Sequence, residues 1–186
     1  MTRIGILALQ GAFIEHEQML AALGCRTVEL RERADIGSLD GLVLPGGEST
    51  VQGRLLHELG MFEPLQELII GGLPTLATCA GLILLAEHLS NDENVYFGTL
   101  PVTVRRNAYG RQLGSFQASA PYDGLGNVSM TFIRAPFIEA VGNEVETLAA
   151  VDGNIVAARY HHQLGLAFHP ELSGDTRIHE QFLQLI

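Results

Sequence analysis

The sequence predicts an α/β fold, a three-layer, mostly parallel sheet with helices on both faces and antiparallel additions in its second half. Three observations predict it. Up to Asn94, short apolar runs alternate with stretches of helical spacing, joined by brief Gly- and Pro-containing turns; this is the texture of βα units stacked into a parallel sheet. After Asn94 the chain becomes a succession of strand-like segments. Apolar residues make up 47% of the 186 and charged residues 17%, a balance that fills a core reached from both faces of a sheet.

Taken in order, Ile4–Leu9 is short, wholly apolar and closed by Gln10-Gly11, as expected of a buried parallel strand. Phe13 to Leu23 carries apolar residues at helical spacing and stops at Gly24, a favoured terminator. Arg26–Leu30 alternates apolar and polar, the mark of a strand with one wet face. Gly41–Leu44 is a further apolar strand, closed by Pro45-Gly46-Gly47. Ser49 or Thr50 then serves as cap of a helix running through Leu55, Leu56 and Leu59. Met61–Ile70 is a second helical pattern, Leu73–Thr78 a central strand, and Gly81–Leu89 is helical again. Phe97–Arg105, Ser115–Ala120, Val128–Ile133, Val145–Val151, Ile155–Tyr160 and Leu164–Phe168 read as strands. Asp175–Leu185 closes the chain as an amphipathic helix. No repeat, low-complexity segment or linker divides this series, so 1–186 reads as one domain.

The formal net charge of −10 argues against a nucleic-acid backbone or an anionic lipid surface as partner. Two cysteines, Cys25 and Cys79, give no disulfide framework and point to a reducing compartment. The apolar run at the N-terminus is too short for a signal-peptide core. The uncharged run Leu68 to Ala86 approaches membrane-spanning length, but Gly71-Gly72, Pro74-Thr75 and Thr78-Cys79-Ala80-Gly81 punctuate it. A soluble, cytoplasmic protein is expected.

Three features carry chemistry. Thr78-Cys79-Ala80-Gly81 sits at a strand-to-helix junction, where a side chain stands exposed above the sheet and its neighbours must be small. The helix that follows turns free N–H groups and a positive dipole end toward the sulfur, which favours the thiolate. A lone cysteine is more often a buried core residue, and Cys25 has only that reading. His169-Pro170-Glu171 is the second feature. In an extended chain, residues two apart share a side, so Glu171 can hold one ring nitrogen and leave the other to exchange a proton with a thiol. The third, Pro45-Gly46-Gly47-Glu48-Ser49, follows a strand and brings backbone N–H groups close to a ligand, as an oxyanion hole requires. Each alone has an ordinary reading as a core thiol, a surface loop or a turn. All three lie at strand ends of an open sheet, where ligands collect, and their conjunction is far more specific.

At these residues the chain resembles the glutaminase subunit family of pyridoxal 5′-phosphate synthase, within the class I (triad) glutamine amidotransferases. The shared elements are Gly5-Ile6-Leu7-Ala8-Leu9-Gln10-Gly11, Glu15-His16, Pro45-Gly46-Gly47-Glu48-Ser49-Thr50 and Thr78-Cys79-Ala80-Gly81-Leu82. They continue through Arg106-Asn107, Tyr109-Gly110-Arg111-Gln112, Phe132-Ile133-Arg134-Ala135-Pro136 and Phe168-His169-Pro170-Glu171-Leu172. The resemblance implies one flavodoxin-like amidotransferase domain that hydrolyses L-glutamine to L-glutamate and ammonia without cofactor or metal. It implies Cys79 as nucleophile, His169 as general acid and base, and Glu171 as the residue orienting His169. It implies glutamine contacts from Gly47, Glu48, Ser49, Arg106, Ile133 and Arg134, and oxyanion donors at the N–H groups of Gly47 and Ala80. An arginine fork suits the substrate α-carboxylate, with the choice between Arg106 and Arg134 open. The partner it implies is a (β/α)₈-barrel synthase subunit in a large hetero-oligomer, which receives the ammonia; glutaminase activity is weak without it.

Two departures stand out. Ala77 occupies the position where the family usually has glycine, and the tight turn should survive so small a change. Arg159-Tyr160-His161-His162-Gln163-Leu164 departs from the commoner Arg-Gln-Gly-Asn pattern. His161, His162 and His169 together suggest a metal site, but adjacent strand residues face opposite sides and no further ligands accompany them, so a partner-facing or plain surface turn is the better reading. Three rivals remain: a triad amidotransferase serving another synthase, a non-catalytic module of the same fold, and a cysteine peptidase or chaperone of similar architecture. The Arg106 and Ile133-Arg134 segments, the intact Cys–His–Glu set and the His-Pro-Glu spacing argue against them in turn.

Overall fold

The computed structural model describes residues 1–110 and 114–186; Arg111 and Gln112 of the resemblance lie outside the described residues. The first half follows the expected alternation. It runs β1 (Arg3–Leu7), α1 (Phe13–Ala22), β2 (Arg26–Leu30), β3 (Gly41–Leu44), α2 (Ser49–Glu58), α3 (Phe62–Ile70), β4 (Thr75–Thr78) and α4 (Ala80–Leu85). Then come β5 (Ala86–Leu89), β6 (Leu100–Arg105), β7 (Ser115–Tyr122), β8 (Gly126–Ile133), β9 (Phe137–Val141), β10 (Glu146–Val151), β11 (Asn154–Tyr160), β12 (Gln163–Leu166) and α5 (Arg177–Leu183).

The centre of the sheet has the order β2-β1-β3-β4-β12, every neighbour parallel. This is the flavodoxin-like order, with its switch point between β1 and β3. From β12 the sheet continues antiparallel through β11, β10, β7 and β8, while β9, β6 and β5 branch from β11. Strands β3, β4 and β12 are buried at every position, which is why they read as unbroken apolar runs. Helices cover both faces. Helix α2 packs on α3 and α4, while α1 and α5 meet through His16 and His179. One hydrophobic cluster runs from Ile4 to Phe182. Among the described residues, no helix is long and apolar enough to cross a membrane.

Three expectations need correction. Gly81–Leu89 is not one helix: α4 ends at Leu85 and Ala86–Leu89 is strand β5, paired with β6. The apolar run that reads as helix is satisfied by the β6 ladder, with Ala86 and Leu89 inward and Glu87 and His88 outward. Strand β9 was unforeseen; Ile138 is its one fully buried side chain, too little for a readable alternation. Neither Ser49 nor Thr50 caps α2. Glu48 takes the cap position without a side-chain hydrogen bond, and the Ser49 hydroxyl is buried with no partner among the described residues.

Candidate active site

The C-terminal ends of β1, β3, β4 and β8 and the segment after β12 converge on one cavity of about 370 Å³. Among its lining residues are Cys79, Ala80, Gly47, Glu48, Ser49, Arg106, Ile133, Arg134 and His169, which is every predicted site residue except Glu171. Glu171 lies directly behind His169.

Cys79 joins β4 to α4 at φ 49°, ψ −103°, a conformation that lifts the side chain out of the strand line, and it is 7% exposed. The turn is tight because α4 lies against β3: a Cβ at Gly81 would stand 2.0 Å from the Leu44 carbonyl oxygen. Ala77 is accommodated as expected, fully buried in register with Leu44 and Gly165. The Cys79 thiol donates to the Ile133 carbonyl at 3.8 Å. Ala80 opens α4, where a helix leaves its N–H without an internal acceptor.

His169 Nδ1 and Glu171 Oε1 are 2.6 Å apart, and both residues are buried. The extended geometry expected for His169-Pro170-Glu171 is not what brings them together. Pro170–Leu172 forms a single 3₁₀ turn, with Pro170 at its first position, and the turn folds Glu171 back under the ring. Burial opposes charge on His169, but its hydrogen bonds to Cys79 and Glu171 prevail and push its pKa up to about 10. Burial likewise opposes ionisation of Glu171, and the facing His16 and His169 rings overcome it, holding the carboxyl below its usual range. At neutral pH the pair is imidazolium and carboxylate, with the imidazolium beside the sulfur.

Glycine is required where the ring enters: a Cβ at Gly46 would meet His169 Cε1 at 2.3 Å. The loop after β1 closes the other side. The Gln10 side-chain oxygen accepts from the Glu48 N–H at 2.7 Å, and Gln52 donates to the carbonyls of Gln10 (3.0 Å) and Pro45 (3.3 Å). The roles of Gln10 and Gln52 in setting this loop were not foreseen, although Gln10-Gly11 marked the end of β1. The two arginines differ. Arg106 pairs with Asp92, lies 3.4 Å from Glu48 and donates to the Thr50 hydroxyl at 3.2 Å. Arg134 is exposed, sits at φ 45° and makes no ion pair among the described residues. No group of three or more metal-ligating side chains occurs among the described residues.

The arrangement can attack, protonate and deprotonate at one small cavity with a cationic and an anionic wall. The family described as the SNO glutamine amidotransferase family matches residues 6–186. The chain is 63% identical over 185 residues to the pyridoxal 5′-phosphate synthase subunit PdxT of Desulfitobacterium hafniense, covering 99% of this chain and 93% of that one. Identity to the protein of the same name from Methanocorpusculum labreanum is 58% over 185 residues, covering 99% and 97%. A solved structure described as a glutamine amidotransferase superposes with a TM-score of 0.93 at 40% identity, covering 98% and 97% of the two chains.

Proposed function

The chain belongs to the SNO glutamine amidotransferase family, and from that premise we propose that Cys79, His169 and Glu171 hydrolyse L-glutamine and supply the ammonia from which a synthase makes pyridoxal 5′-phosphate. The observation that carries the reading is the 2.6 Å His169–Glu171 contact beside Cys79 in a ligand-sized cavity.

Cys79 attacks the side-chain amide carbon as the thiolate, its proton being the one on the His169 imidazolium, and the N–H groups of Gly47 and Ala80 receive the oxyanion. The His169 imidazolium gives its proton to the amide nitrogen, the C–N bond breaks, and ammonia leaves a thioester behind. The now neutral ring takes a proton from water; the hydroxide breaks the thioester, releasing glutamate and restoring the starting pair. Glu171 keeps the ring oriented and favours its charged form throughout. Because Arg106 is already engaged by Asp92 and Glu48, Arg134 is the guanidinium available to the substrate α-carboxylate. Glu48 takes the α-ammonium, and the Ser49 hydroxyl, unpartnered among the described residues, and the exposed Ile133 complete the glutamine contacts.

Ammonia at neutral pH is mostly protonated and unreactive, so the reaction calls for direct delivery to a synthase partner. The relatives' description as subunits of a pyridoxal 5′-phosphate synthase supports such a partner. A (β/α)₈ barrel in a large hetero-oligomer, and a cytoplasmic setting, are the finer forms of this proposal. The deciding experiment measures glutamate release with and without that synthase. A large rise on mixing is expected; equal rates in both arms, or none in either, would refute the reading.

A further inference from the structure

We propose that His16 and His179 are positioning residues for this reaction: a buried pair of rings that fixes the Glu171 carboxylate from behind and, through it, the orientation of His169. The inference rests on the glutaminase reading above. It starts from the second oxygen of Glu171, for which that mechanism has no use.

Glu171 Oε1 faces His169, while Oε2 lies 3.3 Å from His16 Nε2 on α1. The other nitrogen of that ring, His16 Nδ1, is 2.9 Å from His179 Nε2 on α5. Both histidines are wholly buried. His16 Nε2 is also 3.2 Å from the hydroxyl of Thr78, the residue before Cys79. One ring thus touches both the carboxylate behind His169 and the strand end that presents the sulfur. Three elements distant in sequence have to meet for this to happen.

The geometry also fixes the protons. An ionised carboxylate only accepts, and Oε2, which makes no hydrogen bond of its own among the described residues, faces His16 Nε2 at 3.3 Å, so a proton on that nitrogen favours the charged form. Its Nδ1 is then a bare acceptor, and His179 must donate to it from Nε2. That leaves His179 Nδ1 as a lone pair, and this atom has no partner among the described residues. The reverse arrangement would aim a ring lone pair at the carboxylate and bury an orphan N–H at His179, whereas the first leaves only an unpartnered lone pair there. Glu171 is faced by His169 and His16, His16 by Glu171, His169 and Glu15, and His179 by His16 and Glu171. Burial keeps both rings below the usual histidine range, so they stay neutral and hold these tautomers. Carboxylate, ring and ring form one relay, with the Thr78 hydroxyl as a second acceptor facing His16 Nε2.

Two measurements test this. Nitrogen-15 NMR of the full chain should show His16 and His179 as neutral Nε2–H tautomers at pH 7; an Nδ1–H tautomer or a cation at His16 would overturn the proton assignment and the proposal. Steady-state glutaminase assays with the synthase present should then separate orientation from packing. In His16→Met and His179→Met, kcat should fall by up to about 100-fold, the cost of a slightly misplaced catalytic group, while KM changes little. The acid limb of the pH profile should move upward, because Glu171 loses a donor that stabilises its charge. His16→Gln keeps an N–H donor near the Nε2 position and should recover most of kcat. Phe182→Leu, which loosens the same helix α5 without touching the relay, should lower the melting temperature and leave the acid limb in place. Wild-type kcat and acid limb in folded His16→Met, or an equal limb shift in Phe182→Leu, would overturn the proposal. Absence of glutamate release by the wild type would instead count against the glutaminase reading, with the NMR tautomers still deciding the geometry of the pair.

Discussion

Cys79 holds a backbone conformation at φ 49° that costs an ordinary side chain about 1–3 kcal/mol. Asn107 and Arg134, both at φ 45°, line the same cavity, so backbone strain gathers where the proposed chemistry occurs. Replacing Cys79 with alanine keeps the backbone and removes only the sulfur. Glutamate release should fall by at least about a thousandfold, as when a triad nucleophile is lost, with an unchanged melting curve. Near wild-type turnover would end the nucleophile assignment. Glu171→Gln should retain more activity than loss of Cys79 or His169, since it removes the orienting charge but neither the nucleophile nor the acid.

His169 supports a pH prediction of definite sign. Its folded pKa, about 10, lies above the ordinary 6.5. The stability linked to its proton is therefore fully present below pH 6.5 and is lost as pH rises toward about 10. The chain contains no lysine, which removes the commonest source of alkaline destabilisation from this window. Denaturation midpoints of wild type and His169→Gln should differ most at pH 6.5 and just below, narrow as pH rises, and converge above about pH 10. A gap that widens with pH would show that the ring is not held as a cation.

At the scale of elements, the site depends on how closely a helix and a loop approach the sheet. A methyl group at Gly81 would collide with backbone, not with a side chain able to turn away. Gly81→Ala should force α4 off β3, at about 1–3 kcal/mol of stability. Turnover should drop with it, because Cys79 and Ala80 ride on that helix; full activity at an unchanged denaturant midpoint would show the contact to be slack. These close approaches were legible in the sequence as small residues flanking a cysteine and as paired glycines after Leu44. The central strands were legible too, because burial on both faces leaves an apolar run with no alternation to misread. Ala86–Leu89 was not. A four-residue strand continuing an apolar helix carries no boundary signal, and only the distant partner β6 decides its form. The His169–Glu171 contact was foreseen with the wrong backbone: spacing reveals that two residues can meet, whereas the 3₁₀ turn that makes them meet depends on packing beneath them. His16 and His179 were hidden for the same reason. They lie 163 residues apart, and no local pattern joins them.

Across the whole molecule, one sheet carries all twelve described strands. Strand β12, from the end of the chain, lies between β4 from its first half and β11 from its second. The parallel half therefore cannot close without the C-terminal segment, and the antiparallel half hangs from that same strand. Among the described residues the core has no internal boundary either, since residues from Ile4 to Phe182 belong to one cluster. These facts support a single cooperative domain over 1–186. With no tryptophan in the chain, the usable probes are tyrosine signals and far-UV circular dichroism. Tyr122 is buried in β7 of the antiparallel half, while helix content comes chiefly from the elements around the parallel core. Unfolding followed by near-UV and far-UV signals should give coincident transitions in denaturant. A near-UV change that precedes the loss of helix would mean that the antiparallel half melts on its own and that the molecule has two units.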